Sequence, residues 1–215
     1  MSGLSIVPFQ GSGAITKRKN NTSSAVDNMN EMSKSINFSF CRYGHVEEAK
    51  EEEPRATPRK SKFPEKENKK SPTKSVRFNN NNLTDISGLK ETLFAHNVEP
   101  LKVQWLDLSF NELTIIDPVL LDLENLQILY LHGNQIKDLK EIEKLQRLKN
   151  LRRLTLHGNP VEKEKNYKQY VVSMFPNLLK LDFSSITKAD TRTAETWNKI
   201  QNKSPKKPKA KDDED

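Results

Sequence analysis

The chain has 215 residues, 33% hydrophobic and 30% charged, with a formal net charge of +7. No apolar run approaches the roughly 18 residues of a membrane span and no charged-then-apolar leader opens the chain, so neither a spanning helix nor a secretory signal is expected. One cysteine, Cys41, cannot form an internal disulfide, which points to an intracellular chain with an ordinary reduced thiol.

Residues 1–72 read as a disordered N-terminal tail, too rich in Asn, Ser, Lys, Glu and Pro to offset their ordering entropy. Within it Ile36, Phe38 and Phe40 alternate like a strand. The charge is concentrated just before the folded part: residues 54–77 hold 9 Lys/Arg against 2 Asp/Glu, whereas residues 78–187 hold 13 against 14. This basic linker, 54–77, either is a solvated tail or contacts a polyanion, nucleic acid or an acidic protein surface. Aromatic residues are sparse there, which speaks against base stacking. Three Ser/Thr-Pro-x-Lys stretches, at Thr57, Ser71 and Ser204, match the preference of proline-directed kinases; phosphorylation at Thr57 and Ser71 would remove about half the linker's charge.

From residue 73 a motif takes over, LxxLxLxxNxL. The best copy runs Val103-Gln-Trp-Leu106-Asp-Leu108-Ser-Phe-Asn111-Glu-Leu113. Two more follow, ending in Asn134-Gln-Ile136 and Asn159-Pro-Val161, and a weaker one precedes, Val76-Arg-Phe78-Asn-Asn-Asn81-Asn-Leu83. The Asn-to-Asn spacings of 30, 23 and 25 residues are those of a leucine-rich repeat. The expected fold is therefore an α/β solenoid, a right-handed curved array of about four repeats plus a C-terminal cap, spanning 73–200. Leu at positions one, four, six and eleven builds the stacked core. Asn at position nine both donates and accepts, so it satisfies buried backbone groups that have no ladder partner. Its role is structural.

Between the first two copies, Ile86, Leu89, Leu93 and Phe94 share one helix face. The cap is expected over 160–200. Tyr167–Phe175 has helical apolar spacing ended by Pro176, and Leu178-Leu-Lys-Leu181-Asp-Phe183-Ser-Ser-Ile186 keeps the Leu positions with Ile186 in place of Asn. Ala194, Trp197 and Ile200 then recur every three residues, a short helix expected to dock on the last repeat. Residues 201–215 read as a second disordered, charged tail.

Strand residues that do not point inward line the concave face. Position three gives Trp105, Ile128, Arg153 and Lys180; position five gives Asp107 and Tyr130; position seven gives His132 and His157. Trp105, Ile128 and Tyr130 are expected to form an outward apolar patch flanked by Arg153 and Lys180, the usual composition of an interface centre. The alternative is that Ile36, Phe38 and Phe40 of the chain's own tail cover Trp105. His132 and His157 stack on adjacent strands without a carboxylate or Cys in their column, which argues against a metal pair. No Gly-rich phosphate loop or nucleophile elbow appears, so neither an enzyme nor a cofactor is expected.

The stretches Trp105–Leu120, Leu129–Asn134, Leu154–Pro160 and Phe183–Asp190, with weaker echoes in Phe38-Ser-Phe40 and Glu53-Pro-Arg55, resemble the leucine-rich repeat-containing protein 51 family over residues 36–203. The resemblance implies a cytoplasmic, non-enzymatic protein and, by extension, a ciliary or axonemal scaffold. The expected partner is a protein, axonemal or cytoskeletal, held on the concave face by a chain that is monomeric outside its complex. The competing expectation is a nuclear, nucleic-acid-associated protein using the basic tails.

Overall fold

Six short strands lie side by side in chain order, all parallel, because each repeat returns the chain one strand spacing further along. In the computed structural model, which describes residues 35–55 and 74–203, they are β1 (Ser35–Asn37), β2 (Ser75–Arg77), β3 (Trp105–Asp107), β4 (Ile128–Tyr130), β5 (Arg153–Thr155) and β6 (Lys180–Leu181). The expected register holds: Ser75, Trp105, Ile128, Arg153 and Lys180 are successive partners. β7 (Ser184–Ser185) folds back antiparallel on β6 and closes that end of the sheet.

The strands are three residues or fewer, and position six follows them into the core while its amide still donates to the next repeat, as Leu108 does to the Tyr130 carbonyl at 2.9 Å. Phe38, Phe78, Leu108, Leu131 and Leu156 occupy that position in successive repeats, and all are fully buried. The return segments supply the other wall through α1 (Leu89–Ala95), α2 (Leu139–Lys144) and α3 (Tyr167–Met174), together with single 3-10 turns such as Pro118–Asp122. In α1, Leu89 and Leu93 are buried as expected; Phe94 is exposed, and Thr92 takes the inward place, its hydroxyl donating to Val46 and Gly88 carbonyls.

The Asn column links the layers. Each Asn Nδ2 donates to the carbonyl three residues back and to the position-six carbonyl of the repeat before. Asn111 reaches Leu108 and Phe78, Asn134 reaches Leu131 and Leu108, and Asn159 reaches Leu156 and Leu131. Each Oδ1 accepts an amide of the preceding repeat: Leu83 to Asn111, Leu113 to Asn134, Ile136 to Asn159.

The sheet begins earlier than the motif does. The repeat domain was expected to start at residue 73, with 1–72 as tail; the structure places β1 in register with β2 and builds a complete additional repeat over residues 35–55. Phe38 is 1% exposed and stacks on Phe78 at 5.1 Å. Ile36 and Phe38 therefore extend the sheet and core instead of covering Trp105, and Phe40 stands exposed at the rim. Cys41 occupies the ninth position, where its amide and that of Tyr43 donate to Asn81 Oδ1. Among the described residues no earlier layer precedes this repeat, so nothing there requires Asn, and the motif loses its marker. The outer edge of β1 is covered in turn: Arg55 donates its amide to Asn37 and its guanidinium to the Phe40 carbonyl. The other tail segments, 1–34, 56–73 and 204–215, with most of the basic linker and all three candidate phosphorylation sites, lie outside the described residues.

At the far end α4 (Lys188–Lys203) packs along α3. Thr187 caps it, its hydroxyl accepting the Asp190 amide while Asp190 accepts the Thr187 amide and hydroxyl. The hydrogen bond from Lys168, then those from Thr187, holds Asp190 below the usual carboxylate range. Ala194 enters the core and Trp197 lies edge-on to Tyr170 at 5.7 Å, as expected, whereas Ile200 stays exposed. Truncation after Asp190 is expected to lower the melting temperature by several degrees and truncation after Lys203 to leave it unchanged. Equal melting of the two proteins, read by scanning calorimetry, would show that α4 does not stabilise the array.

Candidate concave-face site

The concave residues of each strand converge as the register requires, but their exposure differs from the expected pattern. Trp105 is only 7% exposed and Ile128 is 0% exposed. The Arg77 guanidinium lies 4.6 Å from the Trp105 ring centroid, and Tyr130 meets the same ring edge-on at 5.9 Å. Long side chains on neighbouring strands, about 5 Å away, can lie flat over a concave residue. The expected Trp105–Ile128 patch is thus sealed, and only half-buried Tyr130 remains accessible from that trio.

The exposed aromatic surface sits one step further along the strands. Phe183 is 57% exposed and Phe110 53%. Phe183 was expected at an inward position; instead Asp182 (φ 48) and Phe183 (φ 62) both take left-handed backbone to form the β6–β7 turn. The turn lifts the ring onto the concave face, 5.4 Å from Tyr130 and 5.5 Å from both His132 and His157. Phe110 also has positive φ, 54°, and lies edge-on to His132 at 5.0 Å. Gly133, φ 69°, makes room for it, since a Cβ there would fall 2.6 Å from Phe110 Cδ1. Left-handed backbone is uncommon for bulky residues and concentrates at functional positions.

His132 and His157 stack at 4.6 Å with their planes 10° apart. His132 is buried, with Nδ1 2.8 Å from Thr155 Oγ1. A carboxylate comes near from the neighbouring position-five column: Asp182 Oδ1 is 3.4 Å from His157 Nδ1. Its oxygens are already engaged, accepting the amides of Leu156 and His157 and the Tyr167 hydroxyl. Asp182 thereby supplies the last repeat with an acceptor for the repeat before it, without the donated bonds that the Asn residues add. Among the described residues no group of three or more His, Cys, Asp or Glu is arranged to hold a metal ion.

Burial, then the neighbouring His157, pushes His132 below its ordinary 6.5, while Asp107 and Asp182 pull it up more weakly. Burial likewise raises Tyr130, and it raises Asp107 against two hydrogen bonds from Ser109. With the folded value of His132 depressed, the unfolded chain binds more protons just below 6.5. The His132 contribution is therefore complete above about pH 6.5 and is lost as pH falls toward the folded value. His132→Gln is expected to flatten the decline in urea midpoint between about pH 7.5 and 5.5; an unchanged slope would assign that decline to other groups.

Arg153, close enough to Tyr130 to offset part of the rise that burial gives it, and half-buried Lys180 flank the aromatic surface. Of the eight residues expected at a site, Tyr130, His157, Arg153 and Lys180 are accessible, Asp107 is half-buried and self-bonded, and Trp105, Ile128 and His132 are buried. Phe110 and Phe183 were missed. Phe110 stands where the next two repeats have Gly133 and Gly158, a detectable anomaly; the Phe183 reversal has no counterpart in the motif.

A family model described as leucine-rich repeat matches residues 100–210. Leucine-rich repeat-containing protein 51 of Rattus norvegicus is 43% identical over 83% of this chain and 91% of its own length, and the Homo sapiens protein of that name is 42% identical over 80% and 88%. The crystal structure of the Drosophila melanogaster SNF/U2A′ complex shares the fold, with TM-score 0.50 and 23% identity over 60% of this chain and 74% of that one. With the repeats, their Asn column and the Thr187-capped helix all in place, the chain belongs to the leucine-rich repeat-containing protein 51 family.

Proposed function

We propose that the chain is a non-enzymatic interaction scaffold that holds a protein partner on its concave face. The exposed pair Phe110 and Phe183 beside Tyr130 carries this reading, because exposed aromatic residues flanked by Arg and Lys form the centres of interfaces. Repeat arrays present such extended curved surfaces for binding. The setting proposed is the cytoplasm, with the cilium as the compartment to examine first. No helix among the described residues is long and apolar enough to cross a membrane.

A photocrosslinking residue placed at Phe110 or Phe183 is expected to capture the same protein from ciliated cells, whereas one at Phe94, exposed on the return side, captures none. Equal capture from Phe94 would remove the concave face as the docking surface. The second reading, a nuclear nucleic-acid-associated protein, is favoured by the +7 carried by residues 54–77. Phosphate binding weakens steeply with salt, so no retention of DNA or RNA at about 50 mM salt would dismiss it.

A further inference from the structure

The charged groups of the concave face are not equally committed. Asp107 Oδ1 accepts the amide and hydroxyl of Ser109, and Asp182 accepts two amides and the Tyr167 hydroxyl. Both acids thus face donors of the chain itself. Arg153 is likewise engaged, with Tyr130, but the other two cations differ: Lys180 forms no ion pair among the described residues, and Arg77 lies over Trp105 with its Nε lacking a hydrogen-bond partner. Lys180 and Arg153 border a cleft of about 60 Å³, walled by Tyr130 and Phe183 and floored by Leu154 and Thr155. Its outer wall exists only because two consecutive non-glycine residues adopt left-handed backbone.

We propose that this cleft binds an acidic segment of a protein partner, one Asp or Glu carboxylate against Lys180 and Arg153, with an adjacent aliphatic or aromatic side chain on Phe183 and Phe110. The inference rests on the concave-face reading and specifies its partner. A carboxylate gains charge-assisted hydrogen bonds from such cations, and the neighbouring apolar side chain removes the exposed Phe rings from water. Charge also discriminates between polyanions. Arg77, Arg153 and Lys180 stand against Asp107 and Asp182, so the face carries a formal excess of one positive charge. A nucleic-acid strand, with a phosphate at every nucleotide, requires a longer run of cations than this. One carboxylate beside an apolar anchor matches it.

The test uses the full chain and three fluorescein-labelled probes in anisotropy titrations: an octapeptide with Phe flanked by Glu, its counterpart with Gln for each Glu, and an eight-residue oligothymidylate. The Glu peptide is expected to bind at least about tenfold more tightly than the Gln peptide. K180Q should reduce Glu-peptide affinity toward that of the Gln peptide and leave the Gln peptide unaffected, with the melting temperature unchanged. Oligothymidylate should not compete. Equal affinity for the Glu and Gln peptides, both weakened by F183A, would overturn the acidic partner while leaving concave docking intact. Binding by none of the peptides, insensitivity to K180Q, or tighter binding of the oligonucleotide would each overturn the proposal.

Discussion

Phe38→Ala is expected to destabilise the array by about 3–5 kcal/mol, the range for truncating a buried aromatic residue. Phe38 sits between Phe78, stacked at 5.1 Å, and His96 at 4.9 Å, so its loss leaves a void that rigid neighbours cannot fill. It also loosens the repeat that covers Val76 and Phe78, both fully buried. Since a solenoid is held by nearest-neighbour interfaces, the damage should begin at this end and lower the urea midpoint of the whole domain. Phe40→Ala, two residues on but exposed, serves as the control and should change stability little. If Phe38→Ala melted like the parent, residues 35–55 would be a detached segment instead of a repeat.

Asn134→Ala should also destabilise the array, through a different mechanism. It leaves the Leu113 amide, which donates to Oδ1 at 3.1 Å, without its acceptor. It also takes one of two donors from the Leu108 and Leu131 carbonyls, which now receive Nδ2 at 3.0 and 2.8 Å and keep Asn111 and Asn159. A buried group left without a partner costs about 1–3 kcal/mol, and a loss in that range, raised by the two weakened carbonyls, is expected. Asn134→Asp separates hydrogen bonding from size: it keeps the shape and the acceptor but cannot donate when ionised, and it places a negative charge beside two carbonyl oxygens. It should therefore also destabilise strongly, whereas Asn82→Ala, whose side chain is exposed outside the column, should be near neutral. A mild effect of Asn134→Asp in urea unfolding would mean that the two donated bonds contribute little. Because Asn134 lies in the middle of the array, its loss divides two halves that otherwise unfold together.

The fold was legible because its main rule is periodic. Leu at fixed offsets and Asn at the ninth position follow from stacking identical layers, so Asn111, Asn134 and Asn159 announce both strand register and core in the bare chain. The concave columns follow from the same register, which is why Trp105, Ile128, Arg153 and Lys180 lie on successive strands as expected. The first repeat escaped because its position needs no Asn: Cys41 only has to present an amide to Asn81.

Exposure was decided by tertiary structure alone. Period and register say which way a side chain leaves its strand, but not whether Arg77 from the next strand will lie across Trp105 and seal it. Nor do they say that a chain ending its array will reverse. With no following repeat to pair with, β6 takes β7 antiparallel, Asp182 is held by the Leu156 and His157 amides, and the turn between them carries Phe183 out of the core onto the concave face. The amino-acid pattern thus determined the repeat and its stacking, because those are local and periodic. The accessible site depended on contacts between strands and on an end effect, neither of which any single repeat encodes.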